Sequence, residues 1–327
     1  MNRRHCIAML GSTVLFVNDY VLAQPSQSDR PVRLVVPFPA GGATDFVARA
    51  VGDALSKRWG KAVIVENRTG AAGVLGVSEA AKALPDGNTI LLTVSDTLIN
   101  NVLFIKNLPY APDRDFAFVG QVARSTSVIV ANSDIPVTNL REFFVWAAER
   151  KGQLSYVTPG VGTRAHIVLE SLNKQLSLGM VHSPQRGESL VVTDLISNVS
   201  NIGMAAVSSA APQIRAGKLK ALAVIGSSRS AALPDVPSSV EMGLTDPIYS
   251  VNTWMGVLVP AKTPQHIAVT LAQDLQLVMA DAKIRSSFQE RGFEPMATKP
   301  AEFEASYRAE FKAMDSKVAS LNIDPSK

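Results

Sequence analysis

The sequence predicts an α/β fold of two lobes with a mostly parallel sheet in each, and three observations predict it. Short β-branched runs alternate with longer amphipathic stretches, the pattern of βαβ units. One such series ends near Gly120, a second opens at Val128, and elements suited to the first return after Pro247. A strand, a glycine loop and a helix start follow one another once in each half.

The elements follow in order. Val32-Arg33-Leu34-Val35-Val36 reads as a buried strand, and Asp45 to Lys57 carries Phe46, Val47, Ala50, Val51, Ala54 and Leu55 at helical spacing. Val63 to Val65 is the next strand, Val74 to Ala83 a helix stopped by Pro85-Asp86-Gly87, and Thr89 to Val94 a third strand. The second series has the strand Val128 to Val130, a helix from Leu140 to Arg150, a strand near Leu154 to Val157, helices at His166 to Gln175 and Leu190 to Ser197, and the strand Leu219 to Ile225. Beyond a Pro- and Ser-rich stretch come the strand Trp254 to Val259 and helices from Pro264 to Ala280 and Pro300 to Ser320. This order assigns 24–126 and 250–327 to the first lobe and 127–249 to the second. Two strands then cross between lobes as a hinge, with a cleft at the carboxyl ends of both sheets.

Residues 1–23 stand apart. Arg3 and Arg4 precede an apolar run of 11 residues, Ile7 to Val17, and Val21-Leu22-Ala23 offers a small-residue cleavage end. A run that short falls well below the roughly 20 residues a membrane-crossing helix needs, so the layout predicts a secretory leader cut after Ala23 and a periplasmic product. The single cysteine, Cys6, lies inside it with no lipobox before it; its removal excludes disulfides, thiolate metal sites and a cysteine nucleophile together. A chain with 46% hydrophobic and 18% charged residues at this length can rest on its cores alone. The net charge of +4 is mild and scattered, which argues against nucleic acid and is compatible with attracting anions.

Two segments carry the binding chemistry. Pro37-Phe38-Pro39-Ala40-Gly41-Gly42-Ala43-Thr44-Asp45 joins the first strand to the first helix. Its glycines let backbone approach a ligand, and free N–H groups at the helix start attract anions; a plain turn capped by Thr44 or Asp45 is the alternative. Thr158-Pro159-Gly160-Val161-Gly162-Thr163-Arg164-Ala165-His166 has the same grammar in the other lobe. Facing loops of this kind would share one carboxylate, and bonds made only on closure would shift the open-closed equilibrium. Thr163 can donate a hydroxyl, and His166 serves either as a contact or as a structural residue at the helix start. Trp254, at the strand re-entering the first lobe, either lines the cleft or packs in the core.

Other motifs argue for less. The glycines of Asn67 to Gly76 run G-x-x-G-x-x-G, which fits a tight turn and helix packing better than a dinucleotide site. After the leader only His166, His182 and His266 remain, without H-E-x-x-H, G-x-S-x-G or G-K-[ST], so neither enzyme chemistry nor a metal or cofactor is expected.

With these residues in hand, the sequence resembles the substrate receptors of tripartite tricarboxylate transporters, the Bug receptors. The resemblance rests on residues 37–45, on Val65-Glu66-Asn67-Arg68-Thr69-Gly70 with Gly73 and Gly76, and on Pro85-Asp86-Gly87. It continues through Ala216 to Val224, Leu233-Pro234-Asp235-Val236-Pro237 and Gly292-Phe293-Glu294-Pro295. It implies a type II periplasmic binding fold, a Venus flytrap, in which the loops at 37–45 and 158–166 hold a small carboxylate by amides, hydroxyls and water. It also implies a monomer that partners membrane permease subunits or, alternatively, an envelope sensor protein.

This chain departs from the family pattern at three places. The usual Pro-Tyr-Lys-Gly reads Ser183-Pro184-Gln185-Arg186-Gly187, an expected aspartate aligns with Ala205 or Ala206, and the loop after the third strand reads Val94-Ser95-Asp96-Thr97. The lost aspartate argues against an amino-acid ligand. The expected contacts in the first lobe are Phe38, Ala40, Gly41, Gly42, Thr44, Asp45, Ser95 and Trp254; those in the second are Thr158, Gly160, Gly162, Thr163, His166 and Arg186.

Overall fold

The structure is a computed structural model that describes residues 30–321 and 323, apart from 186 and 251. The leader with Cys6 and the candidate Arg186 lie outside the described residues. In the first lobe, β1 (Val32–Val36) leads to α1 (Ala43–Trp59), β2 (Val63–Asn67), α2 (Val74–Ala81) and β3 (Thr89–Val94). Three short helices follow, α3 (Ser95–Leu98), α4 (Asn100–Phe104) and α5 (Pro112–Asp115), before the ten-residue strand β4 (Phe116–Ser125).

The second lobe runs β5 (Ser127–Asn132), α6 (Leu140–Ala148), β6 (Ser155–Thr158), α7 (Arg164–Gln175), β7 (Val181–Pro184), α8 (Glu188–Ile196), β8 (Ile202–Ala206), α9 (Val207–Arg215) and β9 (Leu219–Val224). The chain then returns through β10 (Thr253–Pro260), α10 (Gln265–Ala280), α11 (Ala282–Glu290), β11 (Phe293–Pro295) and α12 (Pro300–Leu321).

The strands form a six-stranded sheet ordered β11-β4-β10-β3-β1-β2 and a five-stranded sheet ordered β7-β6-β8-β5-β9. Both are mixed, with four strands of each running one way and the rest against them. β1 pairs parallel with β2 and β3, and β6 pairs parallel with β7 and β8, as βαβ units require. The strands that enter from the other lobe run the other way: β10 is antiparallel to β3 and β4, and β5 is antiparallel to β8 and β9. A strand that enters a sheet from the neighbouring lobe arrives without a crossover helix to reverse it, so its direction is set by where it enters. The chain passes between sheets twice, from β4 through Thr126 into β5 and from β9 into β10.

The periodicity of α1 becomes a buried face of Val47, Ala48, Val51 and Leu55, packed with Leu34, Val36, Ile90 and Leu92 of the sheet. Gly60 in the left-handed region closes its C-terminus by donating to Ser56 O. α12 lays Phe303 and Tyr307 against Phe118 of β4, with ring centroids 5.0 and 4.9 Å apart, and one turn further on reaches α7 of the second lobe through Glu310. One helix thus belongs to the cores on both sides of the crossing strands.

Candidate ligand-binding site

The first loop is open and braced from beneath. Pro39 to Ala43 are exposed, whereas Thr44 and Asp45 are buried. Gly41, at φ +79°, donates its N–H to Asp45 Oδ2 at 2.8 Å; Arg49 Nε reaches the same oxygen at 2.9 Å. Asn67 Nδ2 bonds both Asp45 Oδ1 and the carbonyl of Phe38 at 3.0 Å, which ties the loop to the end of β2. Burial pushes the Asp45 carboxyl up, yet the bonds from Arg49, Gly41 and Asn67 outweigh it and hold it below 3.8. The N-cap of α1 is Gly42, with no side-chain cap, where Thr44 or Asp45 was the expected alternative. Asp45 shapes the loop from the third helical position instead. The first N–H groups of a 17-residue helix, at its positive end, therefore stand at an exposed turn.

The second loop is closed on itself. Thr163 caps α7 by accepting from His166 N, and its hydroxyl donates to the carbonyl of Gly160 at 2.8 Å. Thr158 Oγ1 bonds Gly160 O at 3.1 Å and His182 Nε2 at 2.7 Å. Gly162 N–H donates to His166 Nδ1 at 3.1 Å, so the neutral imidazole carries its proton on Nε2. His166 is buried and stacks on His182 at 3.8 Å, and His182 in turn stacks on Tyr156 at 4.9 Å. Burial lowers both imidazoles below 6.5; for His182 the neighbouring His166 adds to it against the pull of Glu170, and its pKa is pushed down to about 4.

Both loops border the segment Ser95 to Phe104. A Cβ on Gly73 would lie 2.8 Å from Thr97 Cγ2 and 3.4 Å from Pro37 Cβ, so the base of the first loop, the turn before α2 and α3 pack together. On the other side Asn100 Nδ2 donates to the carbonyl of Gly162 at 2.9 Å, and a Cβ on Gly162 would lie 2.9 Å from the ring of Phe104. Ser95 is fully buried where the segment begins. Trp254 is buried as well, donating Nε1–H to Glu310 Oε2 at 2.7 Å with its ring edge-on to Phe303. Gly76 is packed against Pro37 and the carbonyl of Arg68, in keeping with a packing role for that glycine series. A cavity of about 410 Å³ lies beneath the second loop, walled by Tyr156, His166, Glu170 and His182.

Three residues here are not among the contacts expected from the sequence. Arg164 opens α7 with its side chain 2% exposed and bonds through Nη2 to Glu310 Oε1, so the first helical residue after the second loop reaches across to α12. Asp96, joined at 2.9 Å to Asn100, is pushed up by burial, with Arg164 opposing and Glu310 adding. A signal existed for Glu310, an acid on the apolar stripe of Phe303, Tyr307 and Met314, where a charge calls for a buried partner.

Residues 47–315 match the tripartite tricarboxylate transporter family receptor. The chain belongs to that family. Solved structures agree across the whole fold. The periplasmic binding protein BugD, 29% identical, superposes with a TM-score of 0.76 over 90% of this chain and 98% of its own. An R. palustris protein solved with adipate is 26% identical, with a TM-score of 0.80 over 92% and 99% of the two chains. MatC from Rhodopseudomonas palustris, with bound malate, is 27% identical and gives 0.75 over 88% and 98%. The receptor family thus has the two-lobed type II periplasmic binding fold, and two structural relatives of this chain hold dicarboxylates. Among the described residues no helix is long and apolar enough to cross a membrane.

Proposed function

We propose that this chain is an exported receptor that closes on a small carboxylate between its lobes, hands it to membrane transporter subunits and leaves it chemically unchanged. The observation that carries the reading is the exposed N-terminus of α1. It has amide donors, a helix dipole and a glycine turn but no side-chain cap, and the Asp45 carboxylate is engaged with the Gly41 N–H, Asn67 and Arg49. The second loop, meeting the same Ser95 to Phe104 segment, supplies the other wall. The relatives that hold adipate and malate support the ligand class. Lobes divided at 126/127 and 249/250 would hinge about the two crossings, with residues 1–23 removed on export.

Thermal unfolding against a panel of mono-, di- and tricarboxylates tests the reading. A ligand that binds only the folded state at a hundred times its Kd adds about 2.7 kcal/mol, a rise in Tm of several degrees that grows with concentration. Silence toward every acid alongside a response to neutral sugars would remove the anion claim. Loss or alteration of the ligand on prolonged incubation would make the protein an enzyme.

A further inference from the structure

Among the described residues seven buried side-chain polar atoms lack a hydrogen-bond partner, and four of them gather where the lobes meet: Ser95 Oγ, Asn100 Oδ1, Arg164 Nε and Arg164 Nη1. The grouping follows from the contacts. Ser95 and Asp96 are neighbours, Asp96 bonds Asn100, Asn100 bonds the carbonyl of Gly162, and Arg164 follows two residues later. A buried guanidinium normally spends its donors on carboxylates, because an unmade bond to a charged group costs more than a made one returns. Arg164 spends only Nη2 in this way, on Glu310, and Trp254 holds the other oxygen of that carboxylate.

We propose that Arg164 is a specificity-determining residue of the ligand site, whose Nε and Nη1 donate to a second, distal carboxylate of the guest. The inference rests on the carboxylate reading above and adds a side-chain anchor in the second lobe to the amides of the first. Glu310 fixes the guanidinium and offsets its charge, so the remaining donors act through hydrogen-bond direction more than through net attraction. Asp96 takes a proton more readily than an ordinary aspartate, which eases the approach of an anion. Ser95 Oγ can donate to the same carboxylate, and Asn100 Oδ1 can accept from a hydroxyl beside it. This arrangement separates guests by what stands at their far end, which the amides of the first loop alone cannot do.

Titration calorimetry on matched pairs tests it: succinate against butyrate, glutarate against pentanoate, adipate against hexanoate. In the unaltered protein at least one diacid should bind tenfold or more tighter than its monoacid partner, and Arg164→Gln should collapse that ratio to within about twofold. Because Arg164→Gln strands Glu310, the paired variant Arg164→Gln with Glu310→Gln is measured beside it, with thermal unfolding to show that both fold; it should collapse the ratio equally. Monoacids that bind as tightly as diacids in the unaltered protein would overturn the role of Arg164. So would a tenfold preference that survives in a folded variant. If no acid of either kind binds, the carboxylate reading itself falls, an outcome distinct from either of these.

Discussion

The two glycine loops share a grammar, strand, small residues, helix start, and are held in opposite ways. The first is braced by a buried carboxylate whose bonds to Gly41, Asn67 and Arg49 keep it ionised, while its helix N-terminus is left open. The second is braced by a buried imidazole held neutral, while its helix N-terminus is capped by Thr163 and its carbonyls are taken up by hydroxyls and Asn100. One loop therefore offers amides and the other offers a shaped wall followed by a guanidinium. The same sequence pattern supports different work because the residue that fixes each loop comes from a different chemical class.

The largest expected effect contrasts the two loops by sterics. Gly162, at φ +73°, has the Phe104 ring where a Cβ would go. Gly162→Ala combines left-handed strain of about 1–2 kcal/mol with overpacking of about 1–3 kcal/mol. The loss should appear both in urea denaturation and in ligand affinity, because the clash is between the lobes. A variant as stable as the parent would mean that the loops do not meet through Phe104.

Next comes acid sensitivity, which should divide the loops by pH. His182 has its folded pKa near 4 against 6.5 for the free residue, so the unfolded chain takes up the proton first as pH falls. Its share of stability is whole above about pH 6.5 and is lost on the way down to about pH 4. Urea midpoints between pH 7 and 4.5 should slope downward, and His182→Phe, which keeps a ring between Tyr156 and His166, should flatten that slope. Asp45 behaves in the other window. Its depressed pKa means a contribution that is intact above 3.8 and fails only as pH falls below it. An equal loss of slope in Asp45→Asn above pH 4.5 would break the division.

Periodicity made α1, α7, β1 and β6 legible because those signals are local, and the loops were legible because two glycines beside a helix start have few other uses. What escaped was set by distance along the chain. β4, with Gly120 and Gln121 breaking its apolar run, is recognisable only once β10 lies beside it. The antiparallel entries of β5 and β10 depend on the crossings and not on any residue within them. Arg164 stood inside a segment already singled out, yet its meaning depends on Glu310, 146 positions later.

Loss of the brace ranks third. Asp45→Asn keeps one acceptor and the shape but gives up the charge that three donors share, a cost of about 2 kcal/mol for bonds to an ionised group. Differential scanning calorimetry at pH 7 should show it, with ligand affinity falling further than stability because the turn that presents the amides loosens.

The smallest structural effect isolates those amides. Gly41 has nearly the same φ as Gly162 but nothing within 4 Å of a Cβ, so Gly41→Ala should cost only the left-handed strain of about 1–2 kcal/mol. The added methyl nevertheless stands on the exposed turn where backbone must approach a guest. If the amides of the first loop hold the carboxylate, calorimetric affinity should drop tenfold or more while the unfolding midpoint falls only by that strain. A Gly41→Ala protein that binds as tightly as its parent would place the guest away from this loop. The open N-terminus of α1, whose N-cap Gly42 makes no side-chain cap bond, would then need another explanation.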